Sequence, residues 1–198
     1  AYSHCWIYAY PAGDLDGDKL TDVIVEMRKE AYSSSYSTHT EMGKVIAKKG
    51  SNGNHLWEES VSATGAYSHC GIDAYPVGDL DGDKLTDIIV RMHKSSGYYS
   101  YSTHTEMGKV IAKKGSNGNH LWEESVSATG AYSHCWIDAY PVGDLDGDKL
   151  TDVIVRMRKE AYSFSSSTHT EMRKVIAKKG SNGNHLWEES VSATGAYS

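Results

Sequence analysis

The stretch Asp14-Leu15-Asp16-Gly17-Asp18-Lys19-Leu20-Thr21-Asp22 recurs unchanged at residues 79–87 and 144–152, each copy 65 residues after the last. Carboxylates stand at positions 1, 3, 5 and 9 of every copy, around a turn with one glycine. Two carboxylates about 4 Å apart repel by roughly 4 kcal/mol at an effective dielectric near 20. Several such pairs on one turn push it open unless a hard cation holds them. The spacing therefore predicts a cation-binding loop. The other reading of the same residues is an acidic surface turn that binds nothing.

Working outward, the whole chain is this repeat. Residues 1–65, 66–130 and 131–195 align without a gap, and residues 196–198 begin a fourth copy. The stretch from Ser51 to Cys70 returns identically at residues 116–135. A period this long and this faithful indicates an array of one structural unit. Its origin is recent duplication or deliberate design.

Composition points to β-structure: fourteen Tyr and five Trp against one Phe, nineteen Gly and three Pro. No apolar run is long enough to span a bilayer, and no apolar signal segment precedes Ala1, so the chain reads as a mature or trimmed soluble form. Twelve acids lie in the three loops, and three divalent cations would offset the formal charge of −6. Lysine pairs such as Lys48-Lys49 alternate with acidic segments, so the basic stripe that nucleic acid requires is missing. Cys5, Cys70 and Cys135 hold one place per repeat and are expected as free, half-buried thiols.

Each unit contains four period-two segments, in the first repeat at residues 5–12, 21–27, 44–48 and 55–62. The acidic loop makes the first connection. A long Ser/Thr/Tyr-rich segment, 29–42, makes the second. The third, 50–54, is a Gly/Asn turn suited to positive φ, and 62–68 leads onward. No segment carries a sustained helical stripe. Four antiparallel strands repeated about a centre describe an all-β fold, a β-propeller with three blades per chain. An open stack or solenoid of four-stranded sheets is the alternative. Propellers have four to eight blades, so two chains are expected to close a six-bladed ring as a homodimer, unless the chain is part of a longer array.

Calcium takes six to eight oxygens from carboxylates, carbonyls and water. The expected ligands, about one Ca2+ per repeat, are the side chains of Asp14, Asp16, Asp18 and Asp22 with the carbonyl of Leu20. The second set is Asp79, Asp81, Asp83, Asp87 and Leu85, and the third Asp144, Asp146, Asp148, Asp152 and Leu150. Magnesium demands stricter octahedral geometry, and zinc is poorly served by oxygen alone. An EF-hand is excluded, because its bidentate Glu position holds Val25.

Gly-Asp-Leu-Asp-Gly-Asp-Lys-Leu-Thr-Asp-Val-Ile-Val, residues 13–25, resembles the FG-GAP/VCBS repeats of integrin-α-like propellers. The resemblance covers the loop and the following strand. It implies a loop joining the first two strands of a blade, calcium ligation by the residues named above, and an extracellular or cell-surface protein, often adhesive. Lys19, Lys84 and Lys149 depart from it where the family often has a second Gly, and the Phe-Gly and Gly-Ala-Pro elements are not evident.

The repeats differ at Trp6/Gly71/Trp136, at Tyr8/Asp73/Asp138 and along residues 26–37 with their equivalents. Tyr/Ser/Gly mixtures suit binding surfaces, so Tyr32, Tyr36, Tyr98, Tyr99 and Phe164 are expected on a ligand face for a protein or glycan, away from the cation loops. Loops also vary without function. His4-Cys5 reads as packing rather than as a soft-metal pair. His39 beside Thr40 and Glu41 suggests acid–base chemistry, which threefold repetition without a shared pocket argues against. The chain is thus expected to be a non-catalytic calcium-binding module. The alternative is a purely structural surface-layer or appendage element, or a designed symmetric scaffold.

Overall fold

In the computed structural model, residues 2–32, 39–97, 104–163 and 167–196 are described. They form twelve strands and, among the described residues, no helix; no helix is long and apolar enough to cross a membrane. The strands are β1 (Tyr2–Gly13), β2 (Asp22–Tyr32), β3 (His39–Lys48), β4 (His55–Thr64), β5 (His69–Gly78), β6 (Asp87–Ser96), β7 (Thr105–Lys113), β8 (His120–Thr129), β9 (His134–Gly143), β10 (Asp152–Ser163), β11 (Thr168–Lys178) and β12 (His185–Ala196). They make three antiparallel four-stranded sheets, β1-β2-β3-β4, β5-β6-β7-β8 and β9-β10-β11-β12. Each 65-residue repeat is one sheet.

Strands outrun their apolar cores. The segment 29–42, expected as a long connection, is mostly paired backbone: Lys29 faces Met42, and Tyr32 faces His39. Polar residues extend these strands because the ladder is satisfied by backbone groups, whatever the side chains.

Proline and glycine sit where their limits are harmless. Pro11, Pro76 and Pro141 lie on the outermost strands β1, β5 and β9, where a missing N–H costs no ladder bond. Two residues on, Gly13, Gly78 and Gly143 take φ of 79°, 86° and 77°. The register shifts there. This bulge turns the chain out of the sheet and into the acidic loop.

The sheets pack in series. Strands β3 and β4 lie against β5 and β6, and β7 and β8 against β9 and β10. One apolar cluster joins the first and second sheets, with Leu15, Ile24, Val45, Trp57, Ile72 and Ile88; another joins the second and third, with Leu80, Val110, Trp122, Ile137 and Val153. The indole N–H of Trp57 donates to Gly115 O at 2.6 Å and that of Trp122 to Gly180 O at 2.7 Å. A Cβ on Gly118 or Gly183 would meet the indole at 2.6 Å, so these turn glycines seat the tryptophans.

Equivalent residues change environment along the array. Trp57 and Trp122 are 5% and 8% exposed, but Trp187 is 48% exposed. Ile72 and Ile137 are buried, whereas Ile7 is 67% exposed. The first sheet therefore shows one bare face and the third sheet the opposite one. Cys70 and Cys135 are buried free thiols, and Cys5 is exposed.

Candidate metal centre

Each acidic loop leaves the bulge and returns to the sheet at its fourth aspartate, the first residue of β2, β6 or β10. Backbone amides converge on its carboxylates. In the first loop Asp14 Oδ1 accepts from Gly17 N at 2.7 Å and Asp14 Oδ2 from Lys19 N at 3.0 Å. Asp16 Oδ1 accepts from Asp18 N at 3.1 Å, and Asp18 Oδ1 from Leu20 N at 2.9 Å. Asp22 is fully buried and accepts from Leu15 N at 2.8 Å and from Gly50 N at 2.9 Å. The same six bonds recur in the second loop and in the third.

This arrangement does two things. The N–H dipoles offset part of the repulsion among the carboxylates, and they fix the direction of each carboxyl group before any ion arrives. The fourth aspartate also ties the acidic loop to the 50–54 turn, putting the first and third connections at one end of the sheet. Carboxylate oxygens of Asp14, Asp16 and Asp18 lie within 4.8 Å of one another, as do those of Asp79, Asp81 and Asp87, and of Asp144, Asp146 and Asp152. Asp22, Asp83 and Asp148 belong to the same loops but stand outside these triads.

The donor set fits a hard cation. Asp16 Oδ2 and Asp81 Oδ2 are buried, and among the described residues no backbone amide reaches them. What meets them is a lysine ammonium from the following turn, Lys49 for Asp16 and Lys114 for Asp81, with Lys179 at Asp146. Pairing with Lys49 holds the Asp16 carboxyl below its ordinary range, and Lys179 does the same for Asp146. The lysines are raised in turn, first by those carboxylates. A positive charge thus already occupies each loop's rim, and an incoming ion has to displace it. Burial pushes Asp87 up to about 6, partly countered by the amides of Leu80 and Gly115. That group is neutral in mild acid and a carboxylate above it.

Lys19, Lys84 and Lys149 adopt φ of 67°, 69° and 72°. A non-glycine residue there carries a cost of about 1–2 kcal/mol. The departure noted in the sequence is therefore a strained turn.

The loops also join the sheets. Thr86 N donates to Asp14 O at 2.9 Å, and Thr151 N to Asp79 O at 3.1 Å. Leu85 rests over Gly17 and Leu150 over Gly82, while Leu15 and Leu80 are buried against Gly115 and Gly180. Leu20, with no preceding sheet, is exposed.

The expected ligand face fares differently. Tyr32 lies on β2, half-buried and stacked on His39 with ring centroids 4.2 Å apart. Tyr36, Tyr98, Tyr99 and Phe164 fall outside the described residues. Much of the variation on the strands is paired exchange. Tyr8 faces Glu26, whereas Asp73 faces Arg91 and Asp138 faces Arg156. Trp6 faces Arg28, but Gly71 faces His93, whose ring stands 3.1 Å from where a Cβ would be. Glu26 Oε1 also accepts from Tyr10 Oη and from Ala74 N, while Asp138 Oδ1 accepts from Tyr75 Oη. These substitutions keep the cross-strand and inter-sheet contacts matched.

Sequence reading missed the lysines and the turn glycines that complete the loops. The available signal was that Lys-Lys-Gly recurs at residues 48–50, 113–115 and 178–180 in step with every acidic loop. It also missed the approach of His39, Glu41 and His69, which comes from different repeats. No protein-family model and no curated protein matches this chain.

Proposed function

We propose that the chain is a calcium-binding repeat module of the FG-GAP/VCBS type. In this reading one Ca2+ sits in each acidic loop. The observation that carries it is the threefold recurrence of carboxylates preoriented by six backbone bonds, with buried Asp16 and Asp81 oxygens that take no backbone amide and meet only the lysine ammonium a cation would replace. Oxygen-only donors on a flexible-geometry loop favour calcium over magnesium or zinc. The ion would be structural, because the same loop carries Asp14 O and Asp79 O, which hold the next sheet. At a thousandfold excess over the dissociation constant each site would add about 4 kcal/mol.

The module is non-catalytic in this reading and works outside the cell or at its surface. Exposed Trp6 and Trp136, each covered by an arginine, and exposed Tyr8 support a protein or glycan ligand. A cleft of about 220 Å³ between the first two sheets is lined by Trp6, Tyr8, Arg28 and Asp73. Self-association belongs to the same proposal. The bare face of the third sheet carries Leu145, Trp187 and Val191, and that of the first carries Ile7. Their equivalents bury one another at both internal junctions, so a second copy fits head to tail and six sheets would close a propeller.

Calcium titration by calorimetry tests the metal reading. Three equivalents per chain and a melting temperature that falls with EGTA are expected; indifference of both to calcium overturns it. Sedimentation with and without chelator reads the assembly, and a chain that stays monomeric at all concentrations removes the ring.

A further inference from the structure

Away from the acidic loops, at the opposite end of the first junction, three ligand-bearing side chains meet. His39 and Glu41 are two residues apart on β3 and point to one side of it, while His69 opens β5 of the next sheet. One donor atom from each lies within 4.8 Å of the others. His69 Nδ1 stands 3.4 Å from Glu41 Oε2, close to the roughly 3.3 Å edge of a tetrahedron built on zinc–nitrogen bonds of about 2.0–2.1 Å.

The surroundings are those of a built site. His39 is 4% exposed, and its Nε2 is buried with no hydrogen-bond partner among the described residues. Tyr32 stacks on its ring at an interplanar angle of 9°, and the His69 ring meets it edge-on at 4.9 Å. Glu41 is fully buried. Arg28 Nε donates to its Oε1, and Cys70 N donates at 3.0 Å to Oε2, the oxygen beside His69, so both carboxylate oxygens are held in place. An outer partner that fixes a ligand's direction is what metal sites use. His69 is half-exposed, leaving a side open for water as a fourth ligand.

The other repeats show what the arrangement depends on. Where Tyr32 stands in the first repeat, the second has Gly97, and His104 Nδ1 instead lies 3.5 Å from Gly97 O. In the third repeat Tyr162 again stacks on His169, at 4.3 Å, and His169 Nε2 is again buried with no hydrogen-bond partner among the described residues. Among the described residues no second histidine reaches it.

We propose that His39, Glu41 and His69 form a site for a divalent transition metal such as zinc, distinct from the calcium loops. Two imidazoles and one carboxylate suit zinc and its neighbours in the first row, whereas calcium selects oxygen. The site spans two repeats, so a bound ion would staple the first sheet to the second.

The test is a zinc titration of the whole chain by calorimetry, with calcium kept saturating. One tight equivalent is expected for the wild type. His69→Ala, which removes a half-exposed side chain, should weaken it by at least about tenfold, and His120→Ala, equally exposed elsewhere, should not. A wild type that takes up no zinc under calcium, or a His69→Ala variant that binds as before, overturns the site. Circular dichroism on each variant confirms that the sheets remain. The acidic loops are untouched throughout, so failure here leaves the calcium reading standing.

Discussion

Leu15, Leu80 and Leu145 are one residue in three surroundings, and replacing each by alanine measures the packing between sheets directly. Leu15 and Leu80 are fully buried against the next sheet, at Gly115 and Gly180, whereas Leu145 is 46% exposed. The local loop is the same in all three, down to the leucine N–H donated to the fourth aspartate at 2.8 Å. Local effects therefore cancel, and only the neighbouring sheet differs. Deleting a buried leucine costs about 3 kcal/mol, through lost transfer energy and the cavity left behind. Leu145 gains only about half of the roughly 2 kcal/mol that full burial of its side chain provides, so Leu145→Ala should cost about 1 kcal/mol.

Urea unfolding of the calcium-saturated protein at low micromolar concentration is the assay. Repeating it at tenfold steps upward in concentration adds the assembly. If a second copy covers the third sheet, the cost of Leu145→Ala should climb toward the other two as the complex fills. Equal costs for Leu80→Ala and Leu145→Ala at the lowest concentration would refute the serial packing of the sheets.

Replacing Lys19, Lys84 and Lys149 by glycine relieves three left-handed residues while keeping the donated N–H. The relief, less the extra freedom of glycine in the unfolded chain, should leave a gain of about 0.5 kcal/mol per loop, read as a higher urea midpoint. Asp22→Asn leaves either Leu15 N or Gly50 N facing an amide donor and should cost about 1–3 kcal/mol even without calcium. Asp87 binds its proton more tightly folded than unfolded, so its contribution is complete below about pH 4 and lost as pH rises through about 6. Metal-free protein should accordingly lose stability across that window in urea melts, and saturating calcium should abolish the trend. A thiol reagent at pH 8 should modify Cys5 rapidly and leave Cys70 and Cys135 until unfolding, since both are buried and burial raises the Cys135 thiol to about 11.

Sequence period and pattern carried far here. Four strands per repeat, the acidic loop between the first two, and the Gly/Asn turn between the last two all follow from alternation and turn chemistry, which act over a few residues. Strand ends did not. Lys29, Glu30 and Ala31 look like loop by composition, yet they pair with Met42, Glu41 and Thr40, because ladder bonds depend on a neighbouring strand being there. The candidate calcium ligands were legible because they are contiguous. Lys49 and Gly50 were not, since they reach Asp16 and Asp22 across about thirty residues of chain.

What the amino-acid order determined by itself is the unit: its length, its strand count, and a turn crowded with carboxylates. These are local properties, set by side-chain alternation, glycine conformation and charge spacing. Only the tertiary structure decided which identical residues share an environment. Trp57 and Trp187 have the same neighbours in sequence, but one is covered by a following sheet and the other is not. It alone brought His69 to His39 and Glu41 as well, because contact across a junction depends on how one sheet lies on the next, and no short window of sequence contains that.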